Sequence, residues 1–155
     1  MAGSALLRQA RREDALRLHE LHTASVRTLC DSHYAAEIIG GWLQTRSAEG
    51  YLAPIKRGVL FVAQRDDRII GFGEAAAGVV VAVYVDPSGI RQGVGSALLR
   101  HALERARLAH SGPVRVESTL NAIGFYAKHG FREIGRGTTK RGLVEVPIVR
   151  MELAH

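Results

Sequence analysis

The chain has 155 residues, 46% hydrophobic and 23% charged, an ordinary globular balance that favours a single domain over residues 1–155. No apolar run approaches the roughly 20 residues of a membrane span, and the opening MAGSALLRQARRED turns charged before a signal-like stretch develops. The net charge of +6 suits an anionic ligand, but the basic residues are dispersed without a polybasic run, which argues against nucleic acid as a partner.

In chain order, Leu6 to Ala10 reads as a short strand. RREDALRLHELHTASVRTL places Ala15, Leu18, Leu21 and Val26 at helical spacing. Its HELH stretch holds His19 and His22 at i, i+3, which is not the HExxH spacing of a zinc helix, so no metal is expected. The single cysteine, Cys30, excludes an internal disulfide and reads as a small buried residue, with a soluble cytoplasmic setting as the default. A second helix is expected over Ala35 to Leu43, and Ser47 is a candidate cap for a third, ahead of Pro54. His33, Tyr34 and Trp42 fall in this helical region, where they either wall a substrate site or pack on a sheet.

After Gly58 the pattern becomes that of strands. VLFVAQ (59–64), RIIGFGEAA (68–76) and VVVAVYV (79–85), joined by RDD and Gly78, suggest an antiparallel meander. The last of these is apolar throughout, as expected of a strand buried on both faces. DPSGIRQGVGSALLRHAL follows. Leu98, Leu99, Ala102, Ala106 and Ala109 share one helical face, which runs to the breaker Ser111-Gly112-Pro113. VRVES (114–118) is a strand, NAIGFYAKHG (121–130) a short helix closed by Gly130, and FREIGRG with LVEVPIVRMEL a closing strand pair. The whole is an α+β chain around a mixed, mostly antiparallel sheet flanked by helices.

Gly93 and Gly95 sit between a strand and a helix, where backbone N–H groups and the helix dipole favour phosphate. Three ligands would want such a turn. A dinucleotide fold needs a third glycine where Leu98 stands; Glu117 does occupy the place of the ribose-binding acid, but the preceding meander is not a βαβ repeat. A P-loop needs Gly-Lys-Ser/Thr, and no lysine occurs between Lys56 and Lys128.

The third ligand is coenzyme A. VVVAVYVDPSGIRQGVGSALL, then VRVES, then NAIGFYAKHGF together resemble the GNAT acetyltransferase superfamily, in the order and spacing of its strand, pyrophosphate loop, helix and "A…FY…GF" segment. The resemblance covers about a third of the chain, in its C-terminal half. It implies the acyl-CoA N-acyltransferase fold and an acetyl-CoA-dependent N-acetyltransferase, acting on a primary amine of a small molecule or peptide by direct attack in a ternary complex. Arg91, Gln92, Gly93, Val94, Gly95 and Ser96 would hold the phosphates. Ile90 stands where the family usually has Arg or Gln, so Arg91 and the backbone must do more. The backbone of Val83, Tyr84 and Val85 would take the peptide-like pantetheine arm and polarise the thioester carbonyl. Thr119 or Asn121 would contact the cofactor, Thr119 standing where the motif often has Asn.

Acyl transfer needs a neutral amine, a stabilised oxyanion and a proton for the departing thiolate. Tyr126 matches the family's tyrosine as that proton donor, with a phenol pKa near 10 against about 8.5 for a thiol. Phe125 is expected in the core. Some family members place a Glu where this chain has Val79, so the base falls to Glu74, Glu117, Glu145 or water. Glu145 is favoured, because the closing strand pair usually borders the acceptor. The absent carboxylate also keeps open a non-catalytic acyl-CoA-binding or nucleic-acid-binding module on the same fold. A homodimer is compatible with the sequence.

Overall fold

Seven strands form one sheet in the order β1-β2-β3-β4-β5-β7-β6 in the computed structural model, which describes residues 5–154. The strands are β1 (Leu6–Gln9), β2 (Leu60–Arg65), β3 (Arg68–Ala76), β4 (Val79–Val85), β5 (Val114–Ser118), β6 (Arg132–Arg141) and β7 (Val144–Leu153). The helices are α1 (Ala15–Leu29), α2 (Ala36–Leu43), α3 (Leu52–Lys56), α4 (Val94–Arg107) and α5 (Ile123–Lys128). The opening residues 1–4 of the stretch read for a signal lie outside the described residues, as does residue 155. None of the described helices is long and apolar enough to cross a membrane.

Every neighbouring pair in the sheet is antiparallel except β4 with β5. The expected mixed, mostly antiparallel sheet is therefore present. The alternation of strand side chains divides the core between two faces. Leu98, Leu99, Ala102 and Ala106 of α4 pack with Val80, Val116, Val149 and Met151 on one face. On the other, Leu18 and Leu21 of α1 meet Leu60, Val62 and Phe72. Next to them Trp42 of α2 packs with Val26, Tyr34, Val146 and Ile148.

β4 departs from the expected strand buried on both faces. Val79 and Val81 are 40% and 41% exposed. The register explains this: Ala75 faces Val80 and Glu74 faces Ala82, so Val81 is an extra residue, a β-bulge. Pairing of β4 with β5 is confined to Val79↔Arg115 and Val80↔Val116, which places its end at the bulge. Beyond it the two strands part, and the edge of residues 81–85 that faces β5 has no paired strand among the described residues.

The loop after β4 is held firmly. Asp86 accepts hydrogen bonds from the Ser88 N–H at 2.9 Å and the Ser88 hydroxyl at 2.7 Å, and Arg17 of α1 reaches it at 2.7 Å. Arg17 also donates to the Ile69 carbonyl. Burial alone would raise the Asp86 pKa, but the Ser88 and Arg17 hydrogen bonds outweigh it and hold the carboxyl below its usual range.

Two smaller expectations change. α4 ends at Arg107, and Ala109 is exposed with φ +55°, so it adds nothing to the apolar face. Ser47 stands at the N-cap of a 3-10 turn over Ala48–Tyr51, but its side chain makes no capping bond.

Candidate active site

The gap between β4 and β5 opens into a cleft of about 660 Å³. Val83, Tyr84 and Val85 line it, together with Arg91, Gly93, Gly95 and Ser96 at the start of α4. Thr119 and Asn121 line it from the turn after β5. Nine of the expected cofactor-side residues are thus brought to one cavity. Gly93 caps α4 in the left-handed conformation, with φ +81°, which a glycine adopts without strain. Arg91 is also left-handed, at φ +64°, which is uncommon for a residue with a side chain. A left-handed turn running into a helix start is an anion-binding concavity.

The remaining two expected cofactor residues do not line the cleft. Val94 is buried in the core under α4, packed toward Gly71, so only its backbone can face a ligand. Gln92 is turned into its own loop, donating to the Ser88 carbonyl at 3.3 Å and accepting from Arg65. Other residues complete the walls of the cleft. Phe125, half-buried over Gly95, packs against the core as expected and also walls the cleft, while Lys128, one turn along α5, adds a cation. His33 and Cys30 close the α1 side, where the Cys30 thiol donates to Asn121 Oδ1 at 3.3 Å. Burial pushes that thiol up to about 11, so it stays protonated at neutral pH.

A second cavity of about 430 Å³ lies on the α1 side of the sheet. Its walls include His22, Arg46, Tyr51, Phe72, Glu74, Val81, Lys140 and Arg141. Tyr84 is the one residue that lines both cavities. Burial raises the Tyr84 phenol to about 12, against the lowering effect of Arg141 and Arg46. Glu74 lies on β3 opposite Ala82, beside the bulge. Burial raises its pKa, against the lowering effect of Arg57 and Arg141.

The favoured base, Glu145, does not fit this arrangement. It is exposed, lies opposite Lys140 in the β6–β7 pair and lines neither cavity. Val146 and Ile148 face α2, so strand alternation turns Glu145 to the other side of the sheet. Glu117 is also exposed and lies 3.8 Å from Arg150. Only Glu74 of the three glutamates reaches a cavity.

Tyr126 is 4% exposed, with its ring edge-on to Phe125 and Phe131, and lines neither cavity. Burial, helped by the nearby Tyr84, pushes its pKa up, so it holds its proton throughout the neutral range. Trp42 and Tyr34 pack edge-on in the core rather than walling a substrate site. Tyr34 also accepts from the Leu120 N–H and donates to the Pro147 carbonyl, tying β7 to the turn that carries Asn121. Among the described residues no group of three or more His, Cys, Asp or Glu is placed to hold a metal.

The arrangement has clear relatives. A GCN5-related N-acetyltransferase from Rhodopseudomonas palustris superimposes with a TM-score of 0.91 at 20% identity, covering 100% of this chain and 98% of that one. PaiA N-acetyltransferase from Thermoplasma acidophilum, in complex with coenzyme A, gives 0.80 at 23% identity over 99% and 100%. The protein yncA from Salmonella typhimurium, with its cofactor acetyl-CoA, gives 0.72 at 18% over 98% and 94%. These likenesses establish the fold. Residues 30–154 match the Acetyltransferase (GNAT) domain, and the chain belongs to the GNAT acetyltransferase family.

Proposed function

We propose that this protein transfers the acetyl group of acetyl-CoA to a primary amine, with both substrates bound together. One observation carries the reading. A cleft with an anion-suited turn and a cavity with a half-buried carboxylate meet at Tyr84, along the splayed edge of β4. The coenzyme A of the PaiA structure and the acetyl-CoA of the yncA structure support the choice of donor.

Arg91, Lys128 and the amides of residues 93–96 would hold the phosphates of coenzyme A. The exposed backbone of Val83–Val85 would pair with the pantetheine arm, and an N–H of that edge would donate to the thioester carbonyl as negative charge develops there. Thr119 and Asn121 border the same arm. When bound, acetyl-CoA supplies an acetyl group already activated as a thioester.

Glu74 replaces Glu145 as the proposed base. It takes the proton released by the amine as the C–N bond forms and the C–S bond breaks. Its raised pKa makes it a better proton acceptor than an ordinary exposed carboxylate. Tyr126 is the proposed proton donor to the departing sulfur, by its match to the family motif. The geometry favours a second reading for this step, because Tyr84 lines both cavities and Tyr126 lines neither.

Acetyl-CoA at a hundred times its Kd should raise Tm by roughly 5–10 °C, by mass action. Thiol release from acetyl-CoA on adding a panel of amines then separates an enzyme from a binding module. A shift without thiol release would refute the transferase reading; a shift with nucleic acid instead would refute the choice of ligand. Tyr126→Phe and Tyr84→Phe, compared in kcat, assign the proton donor to whichever loses it.

A further inference from the structure

The second cavity holds more positive charge than an amine acceptor requires. Arg46, Lys140 and Arg141 line it against one carboxylate, Glu74. None of the ion pairs among the described residues engages those three cations. Two of them act deep in the cavity rather than at its rim. Arg46 is half-buried, with its guanidinium 5.9 Å over the Tyr51 ring. Arg141 is also half-buried, and its charge acts on His22, Glu74 and Tyr84 alike.

The hydrogen bonds of this cavity have a direction. Arg46 Nη2 lies 3.2 Å from His22 Nε2, and His22 Nδ1 lies 2.7 Å from the Tyr51 hydroxyl. A guanidinium can only donate, so Nε2 accepts. The proton of the neutral ring is then on Nδ1, which donates to the Tyr51 oxygen. Burial keeps that ring neutral. The Tyr51 O–H is therefore left to donate onward, and Tyr51 lines the cavity. Two guanidinium groups and a hydroxyl proton present donors to the same space, which matches an oxyanion and opposes a second cation.

The hairpin tip that carries these cations is fixed in place. The Leu143 N–H donates to the Gly41 carbonyl at 3.1 Å, docking the β6–β7 turn against α2, close to the loop that bears Arg46. The cationic wall is thus part of the folded structure and not a chance meeting of surface side chains.

We propose that the acceptor is an amine whose own skeleton carries an oxyanion, held by Arg46, Arg141 and the Tyr51 hydroxyl with its amine toward Glu74. The proposal rests on the transferase reading above. Carboxylate and phosphonate groups share the chemistry, and the test tells them apart.

Thiol release is measured for matched acceptors: amino acids and ω-amino acids, their neutral amides, and aminoalkylphosphonates. The oxyanion-bearing member of each pair should have a kcat/KM higher by about tenfold or more, chiefly through KM. Arg141→Gln should bring that ratio toward one while the Kd for acetyl-CoA stays unchanged; Arg46→Gln should do the same. Carboxylates preferred over phosphonates, or the reverse, names the group. Equal use of acid and amide, or a ratio unmoved in Arg141→Gln, overturns the proposal alone. No turnover with any amine while acetyl-CoA binds overturns the transferase reading, and this proposal with it.

Discussion

His22 should make the fold acid-sensitive in a measurable way. Its ring lies between Phe72, Tyr84 and Tyr51, bonded to Tyr51 on one nitrogen and Arg46 on the other. Burial, with the charges of Arg46 and Arg141 and the neighbouring His19, holds its pKa well below the usual value. In the unfolded chain the same ring takes up a proton near pH 6.5. The unfolded state therefore binds more protons on the acid side, and stability falls as the pH drops through that value. Taking His22 as neutral in the fold throughout, the loss between pH 7 and pH 5.5 comes to about 1.2 kcal/mol. His101, also lowered but half-exposed, adds a smaller loss of the same sign. Urea melts at the two pH values, at fixed ionic strength, measure the difference. His22→Gln should lose about 1.2 kcal/mol less than the wild type over the same interval. That comparison is internal to each protein, so any cost of the substitution at neutral pH cancels. Equal losses in the two proteins would refute a neutral, buried His22. With it would go the hydrogen-bond direction that leaves the Tyr51 proton facing the cavity.

Other substitutions test the site directly. Glu74→Gln should lower kcat/KM by about 10²- to 10⁴-fold and remove the acid limb of its pH profile, which should lie above the ordinary carboxylate range; Tm should not fall, since a half-buried, partly desolvated charge is relieved. An unchanged profile would return the role to water. Arg91→Gly removes the guanidinium while keeping the left-handed backbone at φ +64°. The Kd for acetyl-CoA should rise about tenfold with no loss of Tm, and calorimetry showing no change would mean the turn grips by backbone alone. Gly142→Ala should cost about 1–3 kcal/mol, because φ is +55° and an added Cβ would run into the Gly41 and Trp42 carbonyls. The acceptor KM should rise while acetyl-CoA binding holds, which a paired titration reads.

Much of the fold could be read from local signals. The β5 strand was bounded correctly because VRVES alternates between a glycine-proline breaker and a polar turn. Gly93 marked the start of α4 because a helix entered through a left-handed residue favours glycine. What escaped prediction was set by register. VVVAVYV is uniformly apolar, so nothing in it marks Val81 as the extra residue where the side-chain alternation shifts and the strands part. Glu145 is the favoured base from the sequence because its strand pair borders the acceptor in the family, but strand alternation, which the sequence does not register, turns it to the other face. Gln92 reads as a side-chain donor to the phosphates because the loop motif names positions, not directions, and its amide is turned into its own loop instead. The proposed acceptor cavity was the least legible feature. Its cations come from residues 46, 140 and 141, nearly a hundred positions apart, and no local motif joins them.

Tyr84 as the lone shared wall has a consequence for how such a chain can change. The proposed donor cleft is assembled mainly from the stretches 83–96 and 119–128, with one end of α1, whereas the proposed acceptor cavity draws on residues 22, 45–54, 72–82 and 140–142. On the proposed function, a substitution at the hairpin tip or in the loop before α3 alters which amine is admitted without touching the groups that grip the donor. The two specificities are therefore separable traits, inherited through different parts of the chain and coupled through one phenol ring.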